Sequence, residues 1–298
     1  MPLLTFPDYH EAGRALAAEL DMAAAEVAIH RFPDGESQVR LPTLASGNSG
    51  EPLVVCRSLD RPNDKLVELL LLARTARNEG WQRLVLVAPY LCYMRQDAAF
   101  HPGEAVSQRI IGPFLAELFD EVITVDPHLH RVHRLEQAVP AERAVALTAA
   151  EPLRAYLAAR LPDAVVVGPD EESEQWARAA AEPLGLDWLV GKKTRRGDRD
   201  VVVELPEAGL DGRTAVLLDD VASSGQTLAR AAEAARAAGA VDVHALVTHA
   251  LFAEGAEEAL HNAGITTLHS TDSIAHHSNA IPLAPLLAEA VRNGLSAD

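Results

Sequence analysis

Short, unbroken runs of Val, Leu and Ile recur along this chain, and they constrain its fold more than any other feature. Leu53–Cys56, Leu84–Ala88, Val122–Val125, Ala164–Val167, Ala215–Leu218 and Val243–Val247 are such runs. They are continuous rather than alternating, which suits strands covered on both faces. Between them, Asp64–Glu79, Ser107–Phe119, Glu174–Leu184 and Thr227–Ala238 carry helical spacing and good helix formers. Strands that alternate with helices predict an α/β protein with mostly parallel sheets.

The chain repeats one motif. VLVAPY (85–90), ITVDPH (123–128) and VVVGPD (165–170) each end a strand with Pro and a polar group. Ligands of open α/β sheets sit at such strand ends. The 298 residues are long for one domain and comfortable for two. Two similar α/β halves follow, 1–145 and 146–298. The boundary falls in VPAERAVALTAAEP, which carries no long apolar run.

Charge narrows the partners. A net charge of −17 argues against a general nucleic-acid binder, so any polyanion must meet a local cluster of Lys and Arg. Cys56 and Cys92 are too few for a disulfide framework and read as buried thiols. The N-terminal residues lack a basic region followed by an apolar stretch, and the most apolar run, Leu69–Ala73, is far too short to cross a bilayer. A soluble cytoplasmic protein, bound to neither membrane nor nucleic acid, is expected.

The stretch TAVLLDDVASSGQTLAR (214–230) reads as strand, acidic turn, small-residue loop and helix. Loop N–H groups and a helix N-terminus form a phosphate cradle. Asp219 and Asp220 beside a phosphate make sense if they face ribose hydroxyls, or a Mg2+ that bridges to phosphates. The plain alternative is a βα turn with acidic capping residues. RFPDGESQVRL (31–41) reads foremost as a β-hairpin around Asp34-Gly35. PYLCYMRQD (89–97) places Arg95 beside aromatic residues at a strand end, which suits an anionic, planar ligand; an Arg–Asp pair on a loop is the equal alternative.

VDPHLHRVHR (125–134) holds His128, His130 and His133, a spacing that matches no closed zinc site. His128 alone, at a strand end, could be one ligand of a cation that also holds phosphate. Asp170, in GPDEESEQ, occupies a similar place, while Glu171, Glu172 and Glu174 suit the first turn of a helix. GKKTRRGDRD (191–200) concentrates basic residues in an acidic chain. It is either a solvated loop or a mobile arm that closes over a transferring phosphoryl group.

In order and spacing, FPDGE (32–36), RPND (61–64), PYLCYMRQD, VDPH, GPD, KKTR (192–195) and DDVASSGQT (219–227) resemble the ribose-phosphate diphosphokinase family. The resemblance implies two tandem type I phosphoribosyltransferase-like domains, each a mostly parallel sheet flanked by helices. It implies Mg2+-dependent transfer of the diphosphoryl group of ATP to ribose 5-phosphate, giving phosphoribosyl diphosphate and AMP for nucleotide biosynthesis. Phe32, Asp34, Gly35 and Glu36 are the implied adenine-side ATP contacts, supplied from a neighbouring subunit. Arg95, Gln96 and Asp97 complete the ATP set. His128 and Asp170 are the implied Mg2+ ligands, and Lys193 and Arg195 the catalytic pair. Asp219 and Asp220 face the ribose, and Ser223, Ser224, Gly225, Gln226 and Thr227 hold the 5-phosphate. Self-association to at least a dimer is implied.

The sequence departs from the family pattern in three places. Glu171-Glu172-Ser173 stands where small residues are usual, Ser223 where the best-known bacterial members have Asp, and Gln226 where Gly is usual. Two rival readings stay open: a type I phosphoribosyltransferase, which shares only the 219–227 loop, and a non-catalytic regulatory member of the same family.

Overall fold

The computed structural model describes residues 1–43, 51–129, 131–195, 201–206 and 209–296; of 193–195 and 201–202 it describes the backbone alone. The chain divides into two compact units. Met1–Thr148, Ser273–Ala275 and Leu283–Asp298 form the first, and Ala149–Asp272 with His276–Pro282 the second.

The first unit contains strands β1 (Pro2–Thr5), β2 (Ala23–Glu26), β3 (Ala28–Arg31), β4 (Ser37–Arg40), β5 (Leu53–Cys56), β6 (Leu84–Val87), β7 (Glu121–Val125) and β8 (Arg143–Leu147). Its helices are α1 (His10–Glu19), α2 (Pro62–Asn78), α3 (Gln108–Leu118) and α4 (Leu135–Ala138). The main sheet runs β2-β1-β5-β6-β7-β8, with every pairing parallel. Parallel neighbours require a crossover between them, which these helices supply. Leu53–Cys56 and Leu84–Val87 are buried at every position, because helices cover both faces of the central strands. Leu4, Phe6, Leu69, Leu72, Trp81 and Phe119 pack around them. Cys56 and Cys92 are both buried free thiols, as expected, and burial pushes Cys92 up to about 12.

The second unit begins with α5 (Ala150–Arg160), β9 (Val165–Gly168), α6 (Glu174–Ala181), β10 (Trp188–Val190), β11 (Lys192–Arg195) and β12 (Val201–Glu204). It continues through β13 (Thr214–Ala222), α7 (Gln226–Ala237), β14 (Asp242–Ala250), α8 (Ala256–Asn262), β15 (Thr267–Thr271) and β16 (Asn279–Ile281). Its main sheet, β10-β9-β13-β14-β15-β16, is also parallel throughout. Val165, Leu217, Val243 and Leu228 are among its core residues.

The last helix, α9 (Ala284–Leu295), belongs to the first unit. There the Arg83 guanidinium donates to the Gly294 carbonyl at 3.0 Å and that of Arg143 to the Ala290 carbonyl at 3.3 Å.

Two expectations are corrected. The run Ala215–Leu218 does not stop at a turn: β13 continues through Ala222, so Asp219 and Asp220 lie inside the strand, with Asp219 opposite Val247. Thr194 and Arg195 do not open a loop. They pair with Val202 and Val201 in an antiparallel β11–β12 ribbon.

Candidate active site

Within the first unit, the loops that follow β5, β6 and β7 leave the same edge of one parallel sheet. RPND follows β5, PYLCYMRQD follows β6 and VDPH follows β7. These are the carboxyl ends of adjacent strands, the usual ligand position in an open α/β sheet. Arg95 is exposed and Gln96 half-buried. Ser107 donates its hydroxyl to Gln96 Oε1 at 2.7 Å. Asp97 is buried and accepts the Arg131 backbone N–H at 3.0 Å and its guanidinium. Burial opposes ionisation of Asp97, but the Arg131 N–H and charge outweigh it and hold the carboxyl below its ordinary range. Asp97 therefore braces the loop through Arg131. Asp126, buried, adopts φ 38° immediately before Pro127-His128, turning the chain sharply off β7. His133 is exposed, and His130 lies outside the described residues.

The FPDGE segment is the tip of the β3–β4 hairpin. Gly35 donates its N–H to the Phe32 carbonyl and Phe32 to that of Glu36, each at 2.9 Å, and Gly35 takes φ 93°. Asp34 caps the turn by accepting the Glu36 N–H at 3.1 Å. The Phe32 ring is 42 % exposed.

A charged network beneath this hairpin was not legible beforehand. Glu68 on α2 is fully buried. It accepts from Arg57 at 2.6 Å, Arg31 at 3.2 Å and the Ser37 hydroxyl at 2.8 Å. Arg31 also pairs with Asp64, one helical turn before Glu68 on α2. Arg31 and Ser37 flank the FPDGE turn, so α2 fixes the hairpin's stance. Asp8 joins Arg57 at 3.2 Å and Lys65 at 2.9 Å.

In the second unit, β9 and β13 are paired neighbours, with Val167 opposite Leu217. That register brings the end of β9, carrying Asp170, beside Asp219. The Asp170 side chain accepts the Ser173 N–H at 3.3 Å, and the Ser173 hydroxyl returns to the Asp170 N–H at 3.1 Å. This reciprocal box fixes the Asp170 backbone at the helical turn. Glu171, Glu172 and Glu174 are exposed first-turn acids. Asp219 accepts the Asp220 N–H at 3.0 Å. Burial, then the Asp220 charge, then the Asp170 charge push the Asp219 carboxyl well above the ordinary carboxylate range. Three carboxylates are thus gathered where the end of β9 meets the interior of β13.

The cradle follows. Ser223, Ser224 and Gly225 connect β13 to α7, which starts at Gln226 with Thr227 in its first turn. Gly225 is the N-cap at φ 71°, a conformation other residues adopt only at a cost, and a Cβ there would meet Leu260 at 3.3 Å and the Ala256 carbonyl at 3.4 Å. The loop is tied by the Ala253 N–H donating to the Ser223 carbonyl at 3.0 Å. Lys193 and Arg195 occupy β11; their side chains, and residues 196–200 with Arg196 and Arg199, lie outside what is described.

Comparison with known proteins decides the family. Residues 1–118 match the N-terminal domain of ribose phosphate pyrophosphokinase, and residues 132–283 match the phosphoribosyl transferase domain. The chain belongs to the ribose-phosphate pyrophosphokinase family. A ribose-phosphate pyrophosphokinase of Methanopyrus kandleri is 38 % identical over 94 % of this chain and 95 % of the relative. One from Thermococcus kodakarensis is 34 % identical over 92 % of this chain and 96 % of its own length. The crystal structure of phosphoribosylpyrophosphate synthetase from Mycobacterium smegmatis matches with a TM-score of 0.83 at 25 % identity, covering 100 % of this chain and 99 % of that one. Both units thus have the α/β, parallel-sheet architecture expected of a ribose-phosphate pyrophosphokinase. Among the described residues, no helix is long and apolar enough to cross a membrane.

Proposed function

We propose that the chain makes phosphoribosyl diphosphate, transferring the diphosphoryl group of ATP to the anomeric hydroxyl of ribose 5-phosphate and releasing AMP. One observation carries this reading beyond family membership: the gathered carboxylates Asp170, Asp219 and Asp220 stand beside a Gly225-capped helix in the same unit. A phosphate cradle next to acidic oxygens suits a sugar phosphate whose hydroxyls need acceptors.

The carboxylates also fit Mg2+. They are hard oxygen donors, and the raised Asp219 pKa marks a place where added positive charge is favourable. When bound, Mg2+ neutralises charge on the phosphates of the nucleotide. The reading gives His128 and Asp170 the role of its ligands. Asp219, with Asp220 behind it, accepts from the ribose hydroxyls. Ser223–Thr227 receive the 5-phosphate through N–H groups and hydroxyls. Phe32, Asp34, Gly35, Glu36, Arg95 and Gln96 contact ATP, and Asp97 keeps that loop in place. Lys193 and Arg195 stabilise the charge that develops on the transferring group, because such transfers rely on positioning and electrostatics. The domain roles follow: ATP contacts in the N-terminal part, acceptor site and catalytic pair in the C-terminal part.

The exposed Phe32 tip supports a dimer in which a neighbour uses that hairpin. Mixing an Asp34→Ala chain with a Lys193→Ala chain tests this, since a shared site restores activity. AMP release from ATP and ribose 5-phosphate, with and without Mg2+, tests the reaction itself. No AMP release, or consumption of phosphoribosyl diphosphate with a free base, would overturn it.

A further inference from the structure

The second unit contains a group of metal-binding side chains apart from the carboxylates just described. Glu257 lies in the first turn of α8, after β14, and His276 and His277 lie in the connection from β15 to β16. His276 Nε2 is 3.3 Å from one Glu257 oxygen, and His277 Nε2 is 2.8 Å from the other. One ligand atom from each of the three side chains lies within 4.8 Å of the others. The geometry points to a binding site for a divalent transition metal of the Zn2+ class, held by His276, His277 and Glu257.

The donor set selects the metal class. Imidazole nitrogens suit Zn2+, Ni2+ or Cu2+, whereas Mg2+ prefers oxygen donors and water. Two imidazoles and one carboxylate leave a coordination position for water, as in sites of three protein ligands. The plain alternative is a pair of ion pairs between Glu257 and the two histidines. His276 is mostly buried, with the Phe252 ring 5.3 Å away between centroids.

Its other nitrogen is held from behind. Nδ1 lies 2.7 Å from the hydroxyl of buried Ser278, which is itself 2.7 Å from the hydroxyl of buried Ser270. The Asn279 amide donates to Ser270 Oγ at 3.0 Å. This outer layer aims Nε2 at Glu257, as carboxylates and hydroxyls aim the histidines of metal centres. Nδ1 also accepts the Ser278 backbone N–H at 3.3 Å, so the ring proton sits on Nε2 without metal. The Ser278 hydroxyl can accept as well as donate, so that proton can move to Nδ1 when a metal takes Nε2, at the expense of the N–H contact. His277 is 72 % exposed and has the rotational freedom to close the remaining distance.

The test uses the full chain without an affinity tag, stripped with chelator, titrated calorimetrically with Zn2+ in excess Mg2+. One Zn2+ per chain is expected, and Co2+ in its place should show the visible absorption of a low-symmetry nitrogen–oxygen site. Ser278→Ala should weaken Zn2+ by about 10–100-fold. Glu257→Gln and His277→Ala should weaken it by at least as much, and His277→Ala, at an exposed position, leaves the fold intact. The chain has 12 histidines, so the triple variant Glu257→Gln, His276→Asn, His277→Ala serves as the reference for binding elsewhere. Failure of the unaltered chain to bind Zn2+, or unaltered binding by the triple variant or by His277→Ala, would overturn the proposal.

Discussion

Glu68→Gln removes one negative charge from beneath the FPDGE hairpin and changes almost nothing in size. Glu68 is fully buried and is held by Arg57 at 2.6 Å, Arg31 at 3.2 Å and Ser37 at 2.8 Å. After the substitution Arg57, itself buried, keeps Asp8 at 3.2 Å, and Arg31 keeps Asp64. Breaking a buried ion pair by removing one partner costs about 3–5 kcal/mol. Retained secondary partners place the cost at the low end, about 3 kcal/mol. For a domain of this size each kcal/mol moves Tm by about 2–4 °C, so a fall of roughly 6–12 °C is expected in a far-ultraviolet melt. The effect on function is separable. Arg31 and Ser37 flank the proposed ATP-contacting turn, so KM for ATP should rise while kcat changes little. The double change Arg57→Met, Glu68→Leu removes both buried charges and should recover most of the lost stability. A Tm within about 2 °C of the parent, or a double variant no more stable than Glu68→Gln, would refute the reasoning.

Three other outcomes are expected. Asp219 is held above the ordinary carboxylate range, so the folded chain binds that proton more tightly than the unfolded one and loses stability as pH rises from the ordinary range through the raised value. Asp219→Asn should flatten that part of the Tm-against-pH curve and raise Tm at neutral pH, while weakening ribose 5-phosphate in a binding titration. Gly225→Val forces a β-branched residue to φ 71° against Leu260 and the Ala256 carbonyl, costing about 1–2 kcal/mol in backbone terms alone, and should raise KM for ribose 5-phosphate in steady-state assays. Lys193→Ala should lower kcat by about two to three orders of magnitude with a modest change in ATP affinity.

The parallel sheets were legible because their central strands are unbroken apolar runs: Leu53–Cys56, Leu84–Val87 and Val165–Gly168 are buried throughout. Edge strands were not. Arg143–Leu147 has a single buried residue, Ala144, and Ala23–Glu26 is mostly exposed, so neither carries the apolar signature. The segment read as an inter-domain boundary therefore contains a strand, β8. In the candidate site, Asp170 and the cradle announced themselves by their place after a strand, whereas Asp219 proved to lie inside one. Arg131 and Glu68 did not, because their partners are remote in sequence: Asp97 is 34 residues from Arg131, and Ser37 is 31 from Glu68. Only folding brings such charges together, and no local spacing records it.

Gly225 has one more consequence. It caps α7 without offering a side-chain oxygen to the first turn. Helix N-termini leave N–H groups that need acceptors. A phosphate seated in this loop would be such an acceptor, and so would serve as the missing cap. Ligand binding and local folding then draw on the same hydrogen bonds. The start of α7 should be among the least protected amides of its unit in hydrogen exchange and should tighten as ribose 5-phosphate is added. The gain follows mass action, growing with the logarithm of ligand concentration above Kd.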